Sequence, residues 1–350
     1  MSSRNFKDFF LENILDFLWR QWSALGVAGG ARTEDKWVID PEALLIFSLE
    51  MTRYEPRLFD EILDWLLVNG KWIDIQRLRG ITKTKDEKSQ RLTSTVACFL
   101  SYETNTYQRK WRALGSLNRA HSSTQGEILF KTKEGKPYPR PTKGSTIFYD
   151  YGFLRENLVL RKMSQPVPIV ASTNIRFLLR ALFGIGSRSE CILYLLTHEA
   201  GRPAEVANAI GISARGTQDA LIELAESGLV LTRIHGKRKI EYWLSQKRWW
   251  QFLAGASFEE LKMPVWLDWI SLYSALMNVW NVVNEIEKTE SDYMRSSKLR
   301  EAMEIIGIEF SKSELDLPSA PNRDVRPERY EEEFQNFVTK VLGARSGTNR

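Results

Sequence analysis

The chain has 350 residues, with 49 Lys and Arg against 44 Asp and Glu, a formal net charge of +5 and an isoelectric point near 9.0. That length accommodates two or three domains, each with its own core, and so modest a charge permits a phosphate-binding face while excluding a polycationic arm. The opening MSSRNFKDFF is not followed by the long apolar run of a signal peptide, and no apolar stretch reaches the ~18–20 residues of a membrane span, so the expected location is cytoplasmic.

Residues 5–25 carry Phe6, Phe9, Phe10, Ile14, Phe17, Leu18 and Trp22 at helical spacing. A glycine-containing loop follows from Gly26 to Asp35; its VAGGAR lacks the Gly-Lys-Ser/Thr ending of a phosphate loop and reads as a turn. Asp40-Pro41 predicts a capped helix through Met51, and Pro56 opens another that Asn69-Gly70 closes. A short helix, WIDIQRLRGI, ends at Gly80. Three short helices in a row fit either a plain helical bundle or a degenerate helix-turn-helix whose third helix presents Asp74, Gln76, Arg77 and Arg79.

Residues 82–90 (TKTKDEKSQ) read as a charged, solvated linker, and an apolar helix resumes from Leu92 to Tyr102. Arg109, Lys110, Arg112 and Arg119 mark the next helix as basic, which suits a solvated face or proximity to nucleic acid. Residues 126–151 change character: ILFKT and TIFYD flank Glu134-Gly135-Lys136, predicting a β-hairpin or extended arm with Lys131, Lys133, Lys136, Arg140 and Lys143 along it. An extended connector with Pro166 and Pro168 then leads into a helix from Asn174 to Leu179.

Residues 188–244 hold the most informative pattern. SECILYLLTHEA places Ile192, Leu193, Leu195 and Leu196 on one side of a helix. Gly201-Arg202-Pro203 stops it and starts AEVANAIG, which turns Val206, Ala207 and Ile210 inward. Gly211-Ile212-Ser213 makes a tight connection, with Ser213 as N-cap. The third helix, residues 214–227, buries Ala220, Leu221, Leu224 and Ala225 and offers Arg215, Gly216, Thr217 and Gln218 on its other face, with Gly228 as its C-terminal cap. LVLTRI and IEYWL, joined by His235-Gly236-Lys237-Arg238-Lys239, predict a hairpin with a basic tip.

Helix, helix, tight turn, helix and basic hairpin resemble the winged helix-turn-helix of ArsR- and MarR-like bacterial transcriptional regulators. The resemblance implies a mainly α fold: a winged domain over 171–250, a helical N-terminal domain over 1–125, a connector over 126–170 and a C-terminal helical domain over 251–350. It also implies sequence-specific binding of duplex DNA, with helix 214–227 in the major groove and wing 235–239 on the backbone. The expected contacts are Ser213, Ala214, Arg215, Thr217 and Gln218 from the helix, and His235, Lys237, Arg238 and Lys239 from the wing. Arg215 suits guanine, Gln218 adenine, Thr217 a phosphate or a thymine methyl, and the wing cations phosphates. Eleven Lys and Arg against seven Asp and Glu over residues 171–250 leave a local balance of +4. Two other readings stay open: a winged-helix adaptor of antitoxin type with a protein partner, and an RNA-binding protein.

Pro264 starts a long helical stretch with Trp266, Trp269, Ile270, Tyr273, Leu276, Met277, Trp280, Val283 and Ile286 at three-and-four spacing. That face is covered either by the N-terminal helices or by a twin helix in a homodimer. Residues 287–312 predict another helix, 313–329 a proline- and charge-containing linker, and 327–342 a last amphipathic helix. Cys98 and Cys191 lie far apart among apolar neighbours and read as buried thiols. His121, His198 and His235 fall in three separate segments, without HExxH, CxxC or GxSxG, so neither a metal, a cofactor nor a catalytic step is expected.

Overall fold

The computed structural model describes residues 1–29, 36–103, 108–118, 126–235, 239–255, 262–263 and 265–345. Most of these residues are helical. The first six helices are α1 (Ser3–Ala24), α2 (Pro41–Met51), α3 (Pro56–Asn69), α4 (Ile75–Thr82), α5 (Glu87–Glu103) and α6 (Gln108–Gly115). Strand β1 (Glu127–Ile128), the single turn α7 (Thr146–Tyr149) and β2 (Phe153–Leu154) lead to α8 (Ile175–Phe183), α9 (Ser187–Thr197), α10 (Pro203–Ile210) and α11 (Ala214–Glu226). Strands β3 (Leu231–His235) and β4 (Lys239–Trp243) are followed by α12 (Gln246–Ala254), α13 (Trp269–Ile286), α14 (Asp292–Lys312) and α15 (Pro327–Arg345).

Local chemistry explains many of these boundaries. Asp40 caps α2 by accepting the Ala43 N–H at 3.1 Å, with Pro41 at the first position where its missing N–H leaves nothing unpaired. Asp74 caps α4 in the same way, through the Arg77 N–H at 3.0 Å. Asp86 caps α5 by accepting the Ser89 N–H at 3.0 Å. The helix therefore begins at Glu87, inside the stretch that composition marks as a solvated linker.

Two apolar cores organise the chain. The larger joins α1–α6 to α13–α15. Phe10 stacks on Trp280 at 6.1 Å, Phe47 on Tyr273 at 4.6 Å and Phe17 on Trp269 at 5.9 Å. The Trp269 indole donates to the Val38 main-chain oxygen at 2.6 Å. The aromatic stripe of α13 is thus filled by α1, α2 and α14 of its own chain, which takes away the twin-helix alternative for that face. Buried residues of α1–α6 and α13–α15 thus lie in one shared core.

The smaller core holds α8–α12 and the β3–β4 pair. Cys191, Ile192, Leu195, Val206, Ile210, Leu221 and Leu224 are buried there. Strands β3 and β4 are antiparallel, with Thr232 opposite Tyr242 and Ile234 opposite Ile240. Gly201 bridges the other edge of β4, exchanging both main-chain hydrogen bonds with Tyr242 at 2.9 Å. Cys98 and Cys191 are both buried free thiols, and burial pushes the Cys191 thiol up to about 12.

The predicted arm over 126–151 takes a different form. Its turn lies where expected, at Glu134-Gly135 with Gly135 at φ +80°, but residues 136–138 make the return, and Tyr138 donates to Phe130 at 3.1 Å. TIFY is the helical turn α7, and β1 pairs in parallel with β2. Phe148 of α7 packs against Phe59, so its apolar side chain is satisfied in a helical turn as fully as in a strand.

Candidate nucleic-acid interface

Between the two cores lies a closed ring of six charged side chains, each no more than 4% exposed. Arg77 bridges Asp40 and Glu42, the latter at 2.7 Å. Arg180 bridges Glu42 and Glu190, both at 2.7 Å. Arg176 meets Glu190 at 2.6 Å and closes the circuit on Asp40 at 3.5 Å. Three guanidiniums alternate with three carboxylates, so the buried charge cancels while nearly every lone pair finds a donor.

Burial pushes the Asp40 carboxyl up, but Arg176 and Arg77 outweigh it and hold it well below the usual carboxylate range. Glu42 is likewise raised by burial and brought below its ordinary value by Arg180 and Arg77. The ring joins α2 and α4 to α8 and α9, and Arg77 Nε also donates to the Ile210 main-chain oxygen at the end of α10, at 2.6 Å. It fixes the three-helix unit to the bundle.

From this support the turn between α10 and α11 takes its shape. Gly211 sits at φ +68°, in the left-handed region open to glycine, and its N–H closes α10 on the Ala207 oxygen. A Cβ there would lie 2.8 Å from Ile270 Cδ1, so a side chain at this position would also have to turn the end of Ile270 on α13 aside. Ser213 then caps α11, its Oγ accepting the Gly216 N–H at 3.2 Å.

Of the expected helix contacts, Ser213, Ala214, Arg215 and Gln218 are exposed together on the first turns of α11. The Arg215 side chain is 93% exposed, 3.9 Å from Asp219. Thr217 is not with them. It is fully buried, and its main-chain oxygen faces the Cys191 thiol at 3.9 Å. Thr217, Ala220, Leu221 and Leu224 form the inward stripe of α11, and a side chain in that stripe reaches no groove. The main chains of His235 and Lys239 form the last rung of the hairpin, while Lys237 and Arg238 lie outside the described residues.

The structure adds groups that periodicity passes over. The loop Gly184–Ser187 and the start of α9 border α11, with Ser187 Oγ 3.3 Å from where a Gly216 Cβ would lie. Arg188 pairs with Glu223 of α11 at 2.6 Å. Asp219, Glu223 and Glu226 make the outer face of α11 acidic beyond its first turn. Arg202 and Arg233 both hold Glu241, at 2.8 and 2.9 Å, tying the hairpin base to the start of α10. Arg176, Arg180 and Glu190 belong to the buried ring, so the balance over 171–250 outside it is nine cations against six anions, +3.

No protein family, curated protein or solved structure matches the chain.

Other predicted surfaces are placed differently. Asp74 is spent as a cap and Arg77 in the ring, so of the four residues predicted to line this helix Gln76 and Arg79 alone are exposed. Lys110 of α6 donates to the Lys71 main-chain oxygen at 2.9 Å, and burial lowers its ammonium to about 8. Arg119 lies outside the described residues. Lys133 of the arm is tied to Glu12 of α1 at 2.7 Å. Among the described residues, no three His, Cys, Asp or Glu side chains gather as a metal site, and no helix is long and apolar enough to cross a membrane.

Proposed function

We propose that this chain binds duplex DNA sequence-specifically as a transcriptional regulator, with α9–α11 and the β3–β4 hairpin acting as a winged helix-turn-helix. One observation carries the reading: Ser213, Ala214, Arg215 and Gln218 stand together at the open N-terminus of α11, while Thr217, Leu221 and Leu224 anchor the same helix from below. The first amides of α11 and the exposed guanidinium supply donors for phosphate oxygens and guanine, and Gln218 supplies the paired donor and acceptor that adenine requires. The acidic outer face beyond Asp219 limits groove contact to the first two turns, because carboxylates there repel the backbone. The hairpin, with its Lys237-Arg238-Lys239 tip, takes the flanking phosphates. The reading contains no catalytic step and no cofactor.

Selection of genomic fragments by the purified chain, followed by gel shifts on the recovered duplexes, tests this. A recurring sequence motif bound more weakly as salt rises supports the reading, and the absence of any retained duplex removes it.

A second reading has its own observation. Leu229, Leu231 and Phe252 are 48%, 44% and 64% exposed beside Phe183 and Trp249, an apolar strip unusual on a nucleic-acid face. A protein adaptor would use that strip. Co-purification of a stable protein partner without nucleic acid would select it.

A further inference from the structure

An open groove lies at the end of α11 remote from its first turn. Phe183 of α8, Gly228 and Leu229 after α11, Leu231 of β3, and Trp249 and Phe252 of α12 line about 460 Å³ of free space there. That volume lies within the range that binding clefts show. The floor is fixed by the smaller core. Trp249 is buried against Phe183, with ring centroids 5.8 Å apart, and its indole N–H donates to the Leu229 oxygen at 3.2 Å. Val230 is buried and its N–H donates to the Leu224 oxygen at 3.2 Å, so its neighbours Leu229 and Leu231 are held outward. The apolar surface is therefore built into the unit and is not the loose end of a chain.

The charge beside it has one sign. Helix α12 carries Lys247 and Arg248 and no carboxylate. Both are exposed, Arg248 lines the groove, and neither forms an ion pair among the described residues. By contrast Arg188, Arg202, Arg215 and Arg233 of the same unit each lie within 3.9 Å of a carboxylate. An apolar floor flanked by unneutralised cations complements apolar side chains interleaved with carboxylates. A second copy of this chain docking through the same groove would set these cations against their own kind.

We propose that this groove docks an acidic amphipathic helix of a partner protein, its apolar stripe on Leu229, Leu231 and Phe252 and its carboxylates on Lys247 and Arg248. The proposal rests on the protein-partner reading of this strip and gives that partner a chemistry. It does not require α11 to read DNA. Arg215 stands about 20 Å away along the same helix, so a docked partner leaves the first turn of α11 open.

Fluorescence anisotropy of a labelled, capped peptide of about 15 residues, titrated with the full chain, tests the site. The peptide has leucine and phenylalanine along one stripe and glutamate on both flanks. It is expected to bind at about 50 μM or tighter, and the same peptide with lysine for glutamate about tenfold more weakly. Phe252→Ser, at an exposed position, weakens the glutamate peptide by about tenfold. Lys247→Glu with Arg248→Glu reverses the preference, so that the lysine peptide binds better. No saturable binding of the glutamate peptide up to about 200 μM protein overturns the proposal, and so does a preference unmoved by the charge reversal. A chain that co-purifies with a protein partner yet ignores both peptides keeps the adaptor reading and loses this site. Peptide binding with no co-purifying partner supports the site and counts against the adaptor reading.

Discussion

Arg77 Nε donates to the main-chain oxygen of Ile210 at 2.6 Å, so the last turn of α10 ends on a side chain that belongs to α4, 133 positions earlier. The same guanidinium is held by Asp40 and Glu42, and Glu42 is shared with Arg180 of α8. The orientation of α10 and α11 relative to the bundle is therefore set by electrostatics as well as by apolar packing. Hydrogen bonds and ion pairs thus join α2 and α4 to the end of α10, next to the turn at Gly211.

Removing one member of the ring leaves its partners charged and buried. Arg77→Met strips donors from Asp40, Glu42 and Ile210 at once, and destabilises the fold by about 3–5 kcal/mol. Arg77→Lys recovers only part of this, because an ammonium cannot span three acceptors in one plane. Urea unfolding at neutral pH measures both. A loss under about 1 kcal/mol for Arg77→Met would show that the ring contributes no more than an exposed pair.

Acid weakens the same junction. Asp40 and Glu42 are raised by burial but brought below their ordinary values by the arginines beside them. Carboxyls with lowered folded values contribute stability above their unfolded range, about 3.9 to 4.3, and lose it as the pH falls through the folded range. Glu50 and Asp268, raised by burial, act in the opposite sense: their penalty at neutral pH disappears on protonation. Unfolding free energy is thus expected to change little on mild acidification and to fall steeply below about pH 4. Stability that holds undiminished to pH ~2 would contradict the ring's assigned charges.

Gly211 meets two constraints, a φ of +68° and the Ile270 methyl 2.8 Å from any Cβ. Gly211→Ala costs about 1–2 kcal/mol for the backbone alone, and more for the contact. Ile270→Ala in the same chain relieves only the second part. A double-mutant cycle by thermal unfolding is expected to show favourable coupling between the two substitutions, and strict additivity would mean that the end of Ile270 turns aside without cost.

Thr217 separates the inward stripe of α11 from its outward face. Its hydroxyl is buried and finds no hydrogen-bond partner among the described residues. Thr217→Val is therefore neutral or stabilising by up to about 1 kcal/mol and leaves affinity for duplex DNA unchanged. A loss of affinity with stability intact would return Thr217 to the interface.

Much of this was legible in the chain itself. Asp40-Pro41, Pro56, Gly211, Ser213 and Gly228 announce boundaries through local chemistry, and the structure places those boundaries where the caps demand. Thr217 was also within reach: it stands three and four residues before Ala220 and Leu221, in step with the buried stripe. The ring was harder. Arg77, Arg176 and Arg180 bring polar atoms into apolar surroundings, and only tertiary structure shows which carboxylates meet them. The one hint is Arg176 and Arg180 at i,i+4 within the otherwise apolar IRFLLRALF. TIFYD misleads because β-branched and aromatic residues suit a buried helical turn as well as a strand once Phe148 has a pocket.

The most direct measurement is fluorescence anisotropy of a duplex recovered by genomic selection, titrated with wild type, Arg215→Ala and Lys237→Ala over a range of salt. Arg215→Ala is expected to cost about 1–3 kcal/mol and to relax sequence preference, while Lys237→Ala lowers the salt slope by about one. Affinity, preference and slope all unchanged in both variants would contradict a DNA-reading role for α11 and the hairpin.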